Sequence, residues 1–107
     1  MIYQLRIYTL KSKEAAQEYL EIWKSHIVSL AKFNIKTHAV YLDRATEQQV
    51  IALVSYEDGT DPIAVTKKYM TSPEFHSDMK GFDFHNFLNV EEILLIESTY
   101  NRSLSLE

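Results

Sequence analysis

Hydrophobic and polar residues repeat with two different periods along this chain, and the switches between them mark its elements. From Ile2 to Leu10 the period is two. Tyr3, Leu5, Ile7 and Thr9 point one way and Ile2, Gln4, Arg6, Tyr8 and Leu10 the other, which predicts a strand with one apolar and one mixed face. After Ser12 the period becomes helical: Ala16, Tyr19, Leu20, Ile22, Trp23, His26, Ile27, Leu30 and Phe33 fall within an arc of about 160°, with Glu14, Gln17, Glu18, Glu21, Lys24, Ser25 and Lys32 around the rest. Ser12 is the expected N-cap, Glu14 suits the positive end of the helix dipole, and Asn34 tolerates the left-handed conformation that ends a helix. Strand patterns return over Ile35 to Leu42 and Val50 to Tyr56, joined by the polar stretch Asp43 to Gln49. Asp61-Pro62 and Ser72-Pro73 each pair a capping residue with a proline at the first helical position. They predict a helix through about Met70 and then a shorter one, with Phe75, Met79 and Phe82 at helical spacing and Gly81 as terminator. The run Gly81 to Phe87 leads to a final strand, about Leu88 to Ser98.

The element order β-α-β-β-α-β with right-handed crossovers predicts an α+β, ferredoxin-like fold: a four-stranded antiparallel sheet with its helices on one face and the first and third strands central. The third strand is apolar on both sides, with Ile51 and Leu53 on one and Val50, Ala52, Val54 and Tyr56 on the other. The fourth carries Ile93 and Leu95 on one side and Val90, Leu94 and Ile96 on the other. Helices cover one face of such a sheet, so a second copy packed sheet to sheet is expected on the other, giving a homodimer.

Composition narrows the classes of function. The chain has 107 residues, 46% of them hydrophobic, with 2 Gly, 2 Pro and no Cys, which fits one domain of about residues 1–100 and a tail over 101–107. The closing Leu106-Glu107 resembles a vector-derived end. Without cysteine there is neither a thiolate nucleophile nor a Cys-based metal site. The formal net charge of -4 gives no nucleic-acid footprint, no apolar run is long enough to span a bilayer, and the N-terminus has no signal-peptide pattern, so the cytoplasm is the expected compartment. Phosphate loops, dinucleotide fingerprints and serine-nucleophile motifs are absent. The four histidines, His26, His38, His76 and His85, form no ligand spacing, so neither a metal nor a cofactor is expected.

Arg6 is the most informative residue, because a guanidinium on a covered face of a central strand is costly unless paired. It is read either as an anion clamp for a ligand carboxylate or enolate, or as half of an ion pair with Glu91, Glu92 or a carboxylate of the partner chain. Gln4 and Tyr8 share its face, and Tyr56 on the third strand is close enough to join them; their alternative role is hydrogen bonding at a dimer interface. His26, in the apolar arc with Trp23, is read as a general base or a haem ligand, or as a satisfied core histidine. The facing of His38 is open. Phe75, Phe82, Phe84, Phe87, Met70 and Met79 either wall an apolar pocket or cap the open end of the core, and their helical spacing favours the second.

Tyr3-Gln4-Leu5-Arg6-Ile7-Tyr8 on the first strand, Trp23 with His26 on the long helix, Val50 to Tyr56 on the third strand and Ser72-Pro73-Glu74-Phe75 at the second-helix turn resemble the NIPSNAP-like proteins of the dimeric α+β barrel superfamily. The resemblance spans most of residues 1–98. It implies a dimeric barrel with a cavity between sheet and helices, and it brings cofactor-independent monooxygenases, haem-handling proteins and small binding modules into view. Family members often carry a histidine where this chain has Ala52, and an aromatic residue where it has Val54, which weakens any chemistry resting on that histidine. The expectation is a small-molecule-binding protein with monooxygenase-like or isomerase-like activity on an apolar or aromatic anion. Gln4, Arg6, Tyr56 and Trp23 would bind the ligand, and Tyr8 and His26 would handle protons. The alternative is a non-catalytic binding or scaffold module acting through its homodimer.

Overall fold

The structure, a computed structural model, describes residues 1–101; the end of the tail, with Leu106-Glu107, lies outside them. The elements run β1 (Ile2–Leu10), α1 (Lys13–Ala31), β2 (Lys36–Leu42), β3 (Gln49–Tyr56), α2 (Pro62–Met70), α3 (Pro73–Asp78), a 3-10 turn (Phe84–Asn86) and β4 (Phe87–Leu95). The sheet order is β2-β3-β1-β4 and every pairing is antiparallel, so β1 and β3 are central. This is the α+β, ferredoxin-like arrangement that the periodicity predicts.

Capping sets where each helix begins. The Ser12 side chain accepts from the Ala15 amide at 3.0 Å, Asp61 from the amides of Ile63 and Ala64, and Ser72 from that of Phe75. Asn34, just past α1, has φ 60, the left-handed conformation expected of it, and Gly81 has φ 86 after α3. Asp43 ties the β2–β3 connection by accepting from the amides of Thr46, Gln48 and Gln49, and those bonds hold its carboxyl below the usual range.

The mixed face of β1 is the one that packs under the helices. Gln4, Arg6, Tyr8 and Leu10 are buried, whereas Tyr3, Leu5, Ile7 and Thr9 on the other face are half-buried. From α1 the core receives Ala15, Ala16, Tyr19, Trp23 and Leu30; Ile27, at the rim of the predicted arc, is 43% exposed. The 3-10 turn was not anticipated. Asp83 caps it by accepting from the His85 amide at 2.9 Å, and the turn brings Asn86 inward before β4 starts at Phe87. Cover thins toward β4, whose apolar residues beyond Phe87 are exposed on both faces. The face away from the helices carries Ala39, Leu53, Leu5 and Ile93 in one cross-strand row.

Ser12→Ala removes the cap of the longest helix and should cost about 1 kcal/mol of stability, read as a lower urea midpoint with an unchanged slope.

Candidate functional site

A cavity of about 180 Å³ lies between the helix-side face of β1 and β4 and the three helices. The strands supply Arg6, Tyr8, Val90 and Glu92; α1 supplies Tyr19, Trp23, His26 and Leu30; α2 and the segment after it close the far side with Thr66, Tyr69, Met70, Phe75, Met79 and Phe84. Met70, Phe84, Val90 and Glu92 are exposed and mark the mouth. The wall is largely aromatic. Tyr8, Tyr19, Trp23, His26 and Phe87 stand ring against ring, with centroids 4.9 to 6.4 Å apart and mostly edge-on or tilted.

Arg6 sits at the base, 5% exposed. Its Nε donates to Gln4 Oε1 at 2.8 Å, one terminal nitrogen donates to Tyr56 OH at 2.6 Å and to Thr66 Oγ1 at 3.1 Å, and the other reaches Tyr8 OH at 3.4 Å. Tyr56 OH in turn donates to Gln4 Oε1 at 3.0 Å. Neither Glu91 nor Glu92 is the ion-pair partner: among the described residues no carboxylate lies within 4.0 Å of the guanidinium. Glu91 points to the opposite face, and Glu92, across from Arg6 in the register, is held by Gln4 Nε2 at 3.1 Å. Burial works against the charge of Arg6, but the phenol oxygens of Tyr8 and Tyr56 outweigh it and keep the guanidinium above its ordinary pKa. Ala52, directly opposite on β3, is small enough to leave this space to the Arg6 network.

His26 has a different setting. Its Nδ1 lies 3.2 Å from Asp78 Oδ2 and 2.7 Å from Tyr69 OH, and Tyr69 OH donates to the same carboxylate oxygen at 2.8 Å. In the tautomer that gives Asp78 and Tyr69 OH a donor at Nδ1, Nε2 keeps the lone pair. Burial pushes the imidazole below its ordinary pKa, and Asp78 pulls it back only in part. Burial and the Asp78 charge together push the Tyr69 phenol well up, so it stays a neutral donor.

Of the residues singled out in the sequence, Arg6, Tyr8, Trp23 and His26 line one cavity. Gln4 and Tyr56 do not reach its surface; they stand behind Arg6 and orient it. Phe75, Phe84, Phe87, Met70 and Met79 are wall residues, so the pocket role that spacing disfavoured is the one they fill, while Phe82 packs on Tyr19 and Phe87 in the core. His38 is the extra residue of a bulge in β2; it hydrogen-bonds Ser55 Oγ at 2.7 Å and packs on Tyr3, on the face away from the helices. Sequence reasoning missed Thr66, Tyr69 and Asp78. The first two were within reach, since they share the inward stripe of α2 at i, i+3. Asp78 ends a six-residue helix too short to show a period.

No family model matches this chain, and no curated protein matches it. Solved structures do. An uncharacterized NIPSNAP domain protein from Burkholderia xenovorans superposes with TM-score 0.71 at 13% identity, over 94% of this chain and 97% of its own. The chain has the fold of the NIPSNAP proteins. A NIPSNAP family protein from Agrobacterium tumefaciens gives TM-score 0.73 at 18% identity, over 92% of this chain and 94% of its own. A variant of SnoaB, a cofactor-independent oxygenase from Streptomyces nogalater, gives 0.63 at 12% identity, over 92% and 93%. At these identities the NIPSNAP likeness is one of architecture.

The depressed histidine gives stability a direction with pH. Below about pH 6.5 the unfolded chain takes up a proton on His26 that the folded chain resists, so stability is full near pH 8 and falls toward pH 5. His38, lowered by partial burial and by Lys36, adds to the same slope. Urea titrations at the two pH values should show the loss, reduced in His26→Gln and reduced further when His38→Gln is added; an unchanged loss in the double variant would place its origin elsewhere.

Proposed function

We propose that the protein binds a small aromatic or apolar anion in the cavity under α1 and performs proton-transfer chemistry on it, isomerase-like or of the cofactor-independent monooxygenase type. The observation that carries the reading is the buried Arg6 guanidinium, lodged in a largely apolar cavity with no carboxylate among the described residues bound to it. Desolvating a charge costs several kcal/mol unless something offsets it. The neutral oxygens around Arg6 satisfy its hydrogen bonds, and a bound anion would compensate its charge. The volume of about 180 Å³ compares with the roughly 150 Å³ of an apolar cavity that holds benzene, which favours a single-ring ligand over a polycyclic one.

His26 supplies the base in this reading. Nε2 takes a proton from a carbon or hydroxyl of the ligand, Asp78 stabilises the imidazolium through Nδ1, and Arg6 with Tyr8 holds the negative charge left on the ligand oxygen. Return of the proton at a different carbon of the conjugated system is an isomerisation. If the carbanion instead meets dioxygen, a CH2 becomes C=O, with one oxygen atom retained and the other leaving as water. The likeness to SnoaB, an oxygenase of the same architecture, supports keeping that second outcome in the reading. Trp23 contributes the edge of the cavity and a reporter, being the sole tryptophan.

A second reading, a binding or scaffold module that works through a homodimer, is favoured by the half-covered row Ala39, Leu53, Leu5 and Ile93 on the face away from the helices. The two readings share the dimer and differ at the cavity. Native mass spectrometry of gently purified protein should give a dimer, with a retained small molecule in the first reading and none in the second. Benzoate should quench Trp23 fluorescence, and Arg6→Gln should weaken its binding at least about tenfold, or about 1.4 kcal/mol, while the circular dichroism spectrum is kept. Benzoate bound equally well by a folded Arg6→Gln variant would falsify the anion site.

A further inference from the structure

We infer that Glu92 makes the cavity selective for monoanions, rejecting ligands that carry a second negative charge; the inference rests on the anion site proposed above and names its substrate class. Two observations on β4 and β1 place it. Glu92 is the cross-strand partner of Arg6 on the same face of the sheet, so the two side chains start from neighbouring positions. They are nonetheless kept from pairing, because Gln4 stands between them.

The Gln4 amide has a fixed direction. Its oxygen accepts from Arg6 Nε and from Tyr56 OH, which leaves its NH2 to face the Glu92 carboxylate at 3.1 Å. Glu92 is therefore tethered one amide away from the guanidinium and leaves the terminal nitrogens of Arg6 unneutralised. The contact of one of those nitrogens with Tyr8 is long, at 3.4 Å, which is where a ligand oxygen would gain most.

Glu92 is exposed at the mouth, where the cavity meets a shallower surface hollow lined also by Thr66, Met70 and, on the hollow's side only, Lys67. The rest of the mouth, formed by Met70, Phe84 and Val90, carries no charge. The other carboxylate near the cavity, Asp78, is engaged with His26 and Tyr69. An anion that enters with one charge directs it to Arg6 and passes its apolar body along uncharged walls. A dianion of the same size has to leave its second charge against aromatic rings, unsolvated, or at the mouth, where Glu92 lines both the cavity and the hollow and repels it, whereas Lys67 lines the hollow alone. Selection thus comes from a repulsive group at the entrance as much as from the attractive one at the base.

The test compares two ligands matched in shape and differing by one charge, 2-nitrobenzoate and phthalate, titrated calorimetrically into the wild-type protein and Glu92→Gln at about pH 8. Glutamine keeps an oxygen for Gln4 to bind and sits at an exposed position. Wild type should bind 2-nitrobenzoate at least about tenfold more tightly than phthalate, and Glu92→Gln should cut that ratio at least about fivefold by tightening phthalate. Raising salt from about 20 to 500 mM should shrink the wild-type ratio, a readout that needs no variant. A ratio unchanged by both treatments, or an equal tightening of both ligands in Glu92→Gln, overturns the selector role and leaves the anion site standing. If the wild-type protein binds neither ligand, the anion site itself fails and Glu92 has nothing to select.

Discussion

The structure is organised around one positive charge placed where a domain of this size ordinarily places none. Arg6 lies in the middle of a central strand, facing the helices, and every hydrogen-bond partner it has among the described residues is neutral: the Gln4 amide, the Tyr8 and Tyr56 phenols and the Thr66 hydroxyl. Those groups come from β1, β3 and α2, so satisfying one guanidinium fixes how three elements sit relative to one another. Hydrogen bonds of this kind meet the donors without cancelling the charge. The cavity above Arg6 follows, because filling it with apolar side chains would leave the charge wholly desolvated.

His26 illustrates the complementary arrangement. Its carboxylate partner is present, at Nδ1, and burial outweighs that partner in setting its pKa. One buried base stays neutral and one buried cation stays charged within the same lining. Environments that push neighbouring titratable groups apart in this way are what acid–base chemistry requires. The architecture shared with NIPSNAP proteins and with an oxygenase does not supply these residues; the side chains on β1 and α1 do.

Much of this was legible in the amino-acid order because it depends on period. The alternation of β1 places Gln4, Arg6 and Tyr8 together, and the helical arc of α1 puts Trp23 and His26 on the inner side. What period does not encode is depth. Gln4 and Tyr56 share the face of Arg6 yet sit behind it, a distinction set by the small Ala52 beside them and by Thr66 arriving from α2. Asp78 escaped for another reason: a six-residue helix has too few turns for a pattern, and the aspartate meets His26 only after the chain has crossed the sheet and returned. The pocket role of Phe75 and Phe84 depends on the 3-10 turn that separates α3 from β4, a turn that its one cap, Asp83, did not disclose.

Strand β4 has a consequence of a different kind. Among the described residues it is an outer strand, with one row of backbone groups unpaired and apolar side chains open on both surfaces, the composition that invites edge-to-edge growth into aggregates. Glu91 and Glu92 interrupt that run at its centre, and because consecutive residues point to opposite sides they put one negative charge on each surface. A second β4 laid alongside, in either direction about the strand's middle, would bring like charges together. The pair thus guards an open sheet edge against runaway pairing, and the charge at the cavity mouth is half of that guard.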